Sequence, residues 1–357
     1  MLPKSAQMDS AIDYKRTKAV AVWLYLCAGF VFVMAVIGAI TRLTESGLSM
    51  VEWRPLIGAL PPLNEAEWHR VFDLYKQTSE YQKAHSWMTL ADFKEIFFWE
   101  WFHRLWGRLI GLVYAVPFIF FIFTGRIPRQ YRPSFWMFLF LGGLQGVIGW
   151  YMVQSGFVDR VDVSHYRLAL HLGLAFIIFC LLLDMALKLS VPKSEAAITL
   201  APLRRLLQYA FICVFLTMIW GGFVAGMNAG LIYNEFPMMG KYPWPSEGLD
   251  LTPLWINAVE NHATVQFIHR VLALVSLGFV LHVSLRARFI PLEARPRKIF
   301  YMLGIMVVLQ VALGITTLIT QVHIVPAVLH QAGALTLLAL LIAAYHETLP
   351  MSYSYQK

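Results

Sequence analysis

Charged and imidazole side chains stand near the start of a long apolar stretch, Phe93 to Phe123. They are Glu100, His103, Arg104 and Arg108, and almost everything after them is hydrophobic. Placing one such charged group in hydrocarbon costs roughly 2.5–3.5 kcal/mol even on the lenient insertion scale. A carboxylate, an imidazole and a guanidinium at one end of a membrane helix therefore indicate a functional site.

The composition is that of a membrane protein. Of the 357 residues, 58% are hydrophobic and 14% are charged, and the mean hydropathy is +0.59, well outside the usual range of soluble domains. The net charge of +8 does not require a nucleic-acid partner, because basic cytoplasmic loops give the same value. Cys27, Cys180 and Cys213 lie within apolar runs, so we expect no disulfides and no cysteine-bound metal.

Apolar runs predict eight membrane-spanning helices, because each run is long enough to cross about 30 Å of hydrocarbon. The predicted spans are residues 19–41, 100–124, 135–154, 166–188, 206–227, 263–285, 299–320 and 325–346. Lysine and arginine cluster before the first span and after the second, fourth and sixth, which predicts that both termini are cytoplasmic. The first residues lack the character of an organellar presequence, so we expect a bacterial plasma (inner) membrane.

An internal repeat divides the chain into two halves. "EWFHR" at Glu100 matches "QFIHR" at Gln266, "LQGVIG" at Leu144 matches "LQVALG" at Leu309, and "HLGLA" at His171 matches "HQAGA" at His330. Each half contains an even number of spans, so both halves share one orientation. We predict an all-α polytopic membrane protein made of two parallel-repeat four-helix bundles. Its expected parts are a cytoplasmic N-terminus (1–18), an N-terminal bundle (19–190) with a long outer loop (42–99), a cytoplasmic linker (191–205), a C-terminal bundle (206–347) and a cytoplasmic tail (348–357).

One histidine lies near the outer end of every even-numbered span: His103, His171, His269 and His330. Each half thus offers two facing imidazoles on different helices of one bundle, which suits six-coordinate haem iron. Arg104 and Arg270, each next to a histidine, could pair with haem propionates. The alternative for any one histidine is a hydrogen bond to a neighbouring helix and no chemistry. Four equivalent positions favour haem.

The other histidines of the membrane region fit ligation less well. His282 and His346 lie at the inner ends of their helices, turned away from the outer pair by helical geometry, so we expect structural roles. His165 and His323 fall in outer loops just before spans, where we expect solvation or a secondary role. His262 shares a helix face with a predicted ligand and could contact a haem edge.

Glu100 distinguishes the two halves, because its repeat partner is Gln266. It precedes His103 by three residues and so shares its helix face, from which it could act at the edge of a porphyrin. The alternative is a plain i,i+4 ion pair with Arg104. The asymmetry suggests that one haem is the substrate and the other a cofactor.

These motifs resemble the haem A synthase family, membrane enzymes that convert haem O to haem A for cytochrome oxidases. The resemblance covers nearly the whole chain and rests on "GAITRLTESGLSMVEWRPLIGALPP", "FKEIFFWEWFHRLWGRLIG", "VQFIHRVLAL" and the third helix with its glycine and glutamine. It implies that His269 and His330 ligate a haem b, that His103 and His171 line the substrate site, and that Glu100 is catalytic. The first outer loop has no cysteine pair, which is similar to the proteobacterial and mitochondrial branch.

The resemblance also implies the reaction and its partners. A porphyrin methyl group of haem O is oxidised to a formyl group through hydroxylation and loss of water. Our own hypothesis is that the haem b of the C-terminal half relays electrons to the N-terminal site. The expected partners are membrane lipid, a haem O synthase and cytochrome oxidase assembly factors. We expect no nucleic-acid partner. We also expect Trp53, Trp68 and Trp87 of the first outer loop to fold over the mouth of the bundle.

The residues alone leave two other functions open. A dihaem cytochrome that exchanges electrons with quinone would use the same four histidines as permanent ligands, but it would not need Glu100 in one half only. A transporter with parallel repeats would use the histidines as a proton pathway.

Overall fold

The computed structural model describes residues 14–52, 57–157, 162–192 and 197–349, and these ranges form α-helices but no β-strand. The helices are α1 (Tyr14–Leu43), α2 (Glu65–Tyr75), α3 (Leu90–Phe123), α4 (Arg132–Gln154), α5 (His165–Ser190), α6 (Ala197–Leu200), α7 (Leu203–Gly226), α8 (Asn257–Glu260), α9 (His262–Arg288), α10 (Ala294–Ile319) and α11 (Ile324–Glu347). Within the described ranges, eight of them are long and apolar enough to cross a membrane, all except α2, α6 and α8. The predicted all-α polytopic fold is confirmed.

The eight spanning helices pack as two groups of four. In the first group α1 contacts α3, α3 contacts α4, α4 contacts α5, and α5 returns to α1. In the second group α7, α9, α10 and α11 close a ring in the same order. The groups meet where α5 packs on α7 and where α11 packs on α1 and α5. Helices that match in the sequence repeat therefore have matching neighbours.

Close backbone contact and hydrogen bonds join the two groups. A Cβ atom at Gly226 of α7 would lie 2.7 Å from the Cα atom of His165 on α5, so only glycine permits this approach. Nearby, the Arg42 guanidinium at the end of α1 donates to the Ala225 carbonyl and to Asn228 Oδ1, both at 2.7 Å. His165 is the first residue of α5, and it is buried. The expectation that it lies solvated in a loop is therefore wrong.

Helix α3, the second membrane span, begins earlier than its hydropathy indicates. The predicted span starts at residue 100, whereas α3 starts at Leu90, where Thr89 caps it in a capping box with Asp92. Charged residues in the first turns hide this part of the helix from a hydropathy window, but the capping residues were a readable signal. The predicted outer loop at 42–99 is also not irregular, since it contains α2, a π-helical turn at Tyr81–His85 and the start of α3.

This extramembrane region, residues 44–89, has a small core of its own against the start of α3. Phe72 and Tyr75 of α2 stack on Phe93, with ring centroids 4.9 and 5.2 Å apart. Trp68 packs edge-on against Phe97 at the margin of this cluster. Of the other tryptophans expected to cover the bundle, Trp87 is exposed and Trp53 lies outside the described residues.

Candidate functional site

Two histidine pairs occupy equivalent places in the two bundles. His103 of α3 and His171 of α5 interact electrostatically in the first bundle, and His269 of α9 and His330 of α11 do so in the second. All four side chains are partly buried. The structure thus brings two imidazoles together in each half, and the two pairs occupy positions that match in the repeat.

The second histidine of each pair lies against a glycine of the preceding helix. A Cβ atom at Gly149 of α4 would lie 2.8 Å from Cε1 of His171. A Cβ atom at Gly314 of α10 would lie 2.8 Å from Cε1 of His330. These glycines match in the repeat, and any larger residue there would push the imidazole out of its place.

The first histidine of each pair also faces a glycine. A Cβ atom at Gly221 of α7 would lie 3.2 Å from Cε1 of His269, and one at Gly38 of α1 would lie 3.9 Å from Cε1 of His103. The contact is tight in the second bundle and looser in the first. A glycine at each of these places lets the imidazole lie close to the neighbouring helix.

Backbone carbonyls fix both imidazoles of the second bundle. His269 Nδ1 donates to the Thr217 carbonyl at 3.0 Å, and His330 Nδ1 donates to the Gln310 carbonyl at 3.1 Å. The Gln310 side-chain amide in turn donates to the His330 carbonyl at 2.9 Å, and its nitrogen lies 3.1 Å from His330 Nδ1. A proton held on Nδ1 leaves the Nε2 lone pair free, which is the arrangement of a metal-ligating histidine.

The first bundle lacks this carbonyl pattern. Gln145, the repeat partner of Gln310, donates to the His171 carbonyl at 3.0 Å, and its amide nitrogen lies 3.2 and 3.3 Å from the two ring nitrogens. Within the described residues, neither His171 nor His103 donates from its ring to a backbone carbonyl. Their tautomers and ring angles are therefore less firmly set than those of His269 and His330.

Glu100 is 2% exposed and its carboxylate is held by three donors. Ser49 Oγ donates to Oε2 at 2.8 Å, and the Met50 N–H donates to the same oxygen at 2.6 Å. Arg104 forms the i,i+4 ion pair with Oε1. The ion pair considered as an alternative is present, but it is only one part of the site, because Ser49 and Met50 of the extramembrane region also donate hydrogen bonds to the carboxylate.

Gln266 takes the same place in the second bundle with opposite polarity. Its Oε1 accepts from Arg270 at 3.2 Å, while its Nε2 donates to the Tyr233 carbonyl at 3.1 Å. Glu100 can only accept hydrogen bonds when ionised, and it meets a hydroxyl and an N–H where Gln266 meets a carbonyl. The difference between the halves is thus built into the neighbouring segment as well as into the side chain.

Both arginines expected at haem propionates donate to the chain that follows the preceding membrane-spanning helix, which is α1 for Arg104 and α7 for Arg270. Arg104 donates to the Met50 carbonyl at 3.0 Å. Arg270 donates to the Tyr233 and Met238 carbonyls at 3.0 and 3.1 Å. A propionate contact at either arginine stays a prediction, and both guanidinium groups already have a structural task.

The remaining histidines lie away from the two pairs. His282 and His262 are exposed. His346 is buried at the other end of α11 and donates from Nε2 to the Val191 carbonyl at 3.2 Å. His323 caps α11 by accepting from the Val325 N–H at 3.4 Å. None of these contacts points to ligation.

Gln145 and Gln310 are the functional candidates that we missed as individual residues. Both lie in the repeated "LQ" motif, four residues before the motif's last glycine, Gly149 or Gly314, which lies against a histidine. The repeat was a usable signal, but the hydrogen bonds to His171 and His330 join different helices and could not be read from spacing. Among the described residues, no group of three or more His, Cys, Asp or Glu side chains could hold a metal ion, so metal chemistry here would depend on the histidine pairs.

Known proteins resemble the chain along almost its whole length. The family model described as "Cytochrome oxidase assembly protein" matches residues 21–342. A heme A synthase of Rhodospirillum centenum is 51% identical over 329 residues, which cover 92% of this chain and 88% of that protein. The chain belongs to the haem A synthase family. The resemblance that the motifs indicated is confirmed.

Two further members of the haem A synthase family show the same coverage. The heme A synthase of Nitrosospira multiformis is 42% identical over 97% of both chains. That of Parvibaculum lavamentivorans is 44% identical over 92% of this chain and 93% of its own. The likeness therefore includes both bundles and the region between α1 and α3.

Proposed function

We propose that this protein is a haem A synthase, which oxidises one methyl group of haem O to a formyl group and supplies haem A for cytochrome oxidase. Membership of the family and likeness over both bundles support the reaction. The structural observation that carries the proposal is the difference between two otherwise matching histidine sites. One site has both imidazoles fixed, and the other has looser imidazoles beside a buried carboxylate.

The second bundle fits a resident haem b. His269 and His330 each keep Nδ1 on a backbone carbonyl, so Nε2 of both rings is available as an iron ligand. Gly221 and Gly314 leave the space that each ring needs. When bound there, haem b supplies one-electron transfer.

The first bundle fits a haem that comes and goes. His103 and His171 interact electrostatically as the other pair does, but among the described residues no carbonyl accepts a hydrogen bond from their rings. A substrate must bind, react and leave, so a less rigid pair of ligands suits haem O better than a permanent cofactor.

Glu100 would handle protons in the first bundle. Turning a methyl group into a formyl group releases protons as well as electrons, and a buried carboxylate on the same helix face as His103 can accept a proton. Arg104, Ser49 and the Met50 N–H hold the carboxylate in one orientation. Gln266 cannot accept a proton in this way, which fits a second bundle that only carries electrons.

A dihaem cytochrome is the second candidate. It would keep both haems as permanent cofactors, and it would not need Glu100 in one half only. The carbonyl bonds of one pair only, and the carboxylate in one half only, argue against it.

The family and the eight apolar helices make this a multi-pass membrane protein. We propose a bacterial plasma membrane with both termini in the cytoplasm, which puts the histidine pairs near the outer face. Haem O would arrive from a haem O synthase, and haem A would pass to the oxidase or its assembly factors.

Glu100→Gln tests the catalytic assignment, because the amide keeps the shape of the side chain but cannot take up a proton as a carboxylate does. Membranes supplied with haem O should form no haem A with this variant, while the low-spin haem b signal stays. Glu52→Gln is the matched control, since it removes a nearby carboxylate that pairs with Arg70. Haem A formation by Glu100→Gln at the rate of the control would exclude Glu100 from the reaction.

A further inference from the structure

Four titratable side chains form a continuous hydrogen-bonded chain in the extramembrane region, and the proposed reaction uses none of them. The Tyr75 hydroxyl donates to Glu80 Oε2 at 2.9 Å, and its oxygen lies 2.8 Å from His85 Nδ1. His85 Nε2 lies 3.1 Å from Glu45 Oε2. We call Glu45, His85, Tyr75 and Glu80 the relay.

The relay runs from water into the protein. The Glu45 side chain is 55% exposed, whereas His85 and Glu80 are each 6% exposed and Tyr75 is fully buried. Buried polar groups at this depth need partners, and these four supply one another. Only the Glu45 end is open to solvent protons.

The heavy atoms of the relay permit two arrangements of the same number of protons. In the first, Glu80 is ionised, Tyr75 donates to it, and a doubly protonated His85 donates to Tyr75 and to Glu45. In the second, Glu80 is protonated and donates to Tyr75, Tyr75 donates to His85 Nδ1, and His85 keeps the proton on Nε2. Moving one proton from His85 to Tyr75 and one from Tyr75 to Glu80 converts the first into the second, without moving any heavy atom.

The relay is linked to Glu100 at both ends. The short segment from Glu45 to Met50 touches both, because Glu45 contacts His85 while Ser49 and Met50 hold the Glu100 carboxylate. Electrostatically, Glu100 acts on both Tyr75 and Glu80. A change of charge at Glu100 is therefore felt at the inner end of the relay.

Glu80 is poised to exchange a proton near neutral pH. Burial raises the pKa of Glu80 to about 8, against the lowering effect of the hydrogen bond from Tyr75. The charges that act on Glu80 from neighbouring elements are the carboxylates of Glu100, Glu45 and Asp162, which raise its pKa, and the Arg42 guanidinium.

We propose that the relay moves a proton between water and Glu80 in response to the charge on Glu100. While Glu100 is ionised, Glu80 keeps a proton. When Glu100 gains a proton, the proton on Glu80 leaves through Tyr75 and His85 to Glu45 and water, and no electron moves. The charge beside the first histidine pair then stays constant. The inference rests on the proposed function only in making the reaction the source of the proton on Glu100.

Infrared titration of the full-length protein without substrate tests the link directly. The wild type should show a protonated-carboxyl C=O band that titrates near pH 8 and disappears in Glu80→Gln. Glu100→Gln removes a charge that raises the pKa of Glu80, so the midpoint should fall by on the order of one unit. Glu52→Gln should leave it unchanged. A midpoint in Glu100→Gln equal to that of Glu52→Gln, or a wild type without this band, would overturn the proposal.

Tyr75→Phe tests the path, with Tyr81→Phe as the matched control. Tyr81 belongs to the same small core, and among the described residues its hydroxyl bonds to the exposed Ser86 carbonyl alone. Tyr75→Phe should raise the Glu80 midpoint, slow haem A formation and change its pH profile. Identical behaviour of both variants in the titration and the pH profile would refute a path through Tyr75. If the wild type makes no haem A, the proposed function fails alone, and the infrared titration still decides the relay.

Discussion

The glycines beside the histidines should control haem binding in one half without disturbing the other. In Gly314→Ala the new Cβ atom would lie 2.8 Å from His330 Cε1, whereas ordinary contacts begin at 3.4 Å. The ring must therefore retreat by about 0.6 Å, and metal–ligand distances tolerate only about 0.2 Å. Without haem, the ring can turn aside, so the variant should still fold.

The expected loss follows from this displacement. Crowding of this kind costs roughly 1–3 kcal/mol, and at about 1.4 kcal/mol per factor of ten the haem affinity should fall between about fivefold and somewhat over a hundredfold. Alanine also favours a helix over glycine by about 1 kcal/mol, so the thermal unfolding temperature should not drop. The loss should thus appear in haem binding and not in stability.

The assay is the haem b content and low-spin spectrum of the purified protein. Gly314→Ala should lose haem b, whereas Gly278→Ala on α9, with no atom within 4 Å of its new Cβ, should keep it. In the other half, Gly149→Ala should keep haem b and form less haem A, with Gly146→Ala as the open-space control. A full complement of haem b with an unchanged spectrum in Gly314→Ala would refute the reasoning.

Three further outcomes are expected. His269→Ala should lose the low-spin haem b signal, and His103→Ala should keep it, as measured by absorption and electron paramagnetic resonance; the reverse result would exchange the two sites. Gln310→Leu removes the amide that binds the His330 carbonyl, so haem b should bind more weakly in a haem titration, and unchanged affinity would make Gln310 a packing residue. Burial raises the pKa of Glu80 from 4.5 to about 8, so its contribution to stability is present at low pH and is lost as the pH rises towards 8. The unfolding temperature in detergent should fall over that range and stay flatter in Glu80→Gln, and equal pH dependence of both proteins would contradict the pKa.

Helix number and the places of the four histidines could be predicted from the sequence, because long apolar runs and a repeat are local patterns. The repeat predicted two similar four-helix bundles, whereas the order of contacts that closes each ring came from the structure. The predicted start of α3 was wrong by ten residues, because charged residues in its first turns lowered the hydropathy there. Thr89 and Asp92 nevertheless form a capping pattern that is readable in the sequence.

Contacts between distant segments were beyond the sequence. His165 is buried because Gly226 brings α7 against it, and no property of the segment around His165 predicts that neighbour. The same holds for the hydrogen bonds that Ser49 and Met50 donate to Glu100. It also holds for the carbonyls that fix His269 and His330, which only the folded bundle brings to the rings.

The most direct test of the central claim is to produce the protein together with a haem O synthase in a host that lacks haem A, extract its non-covalent haem and separate it by chromatography. Our account predicts haem b from the second bundle together with haem A, or its hydroxylated precursor, from the first. Two equivalents of unmodified haem b would contradict it and would identify an electron-transfer cytochrome.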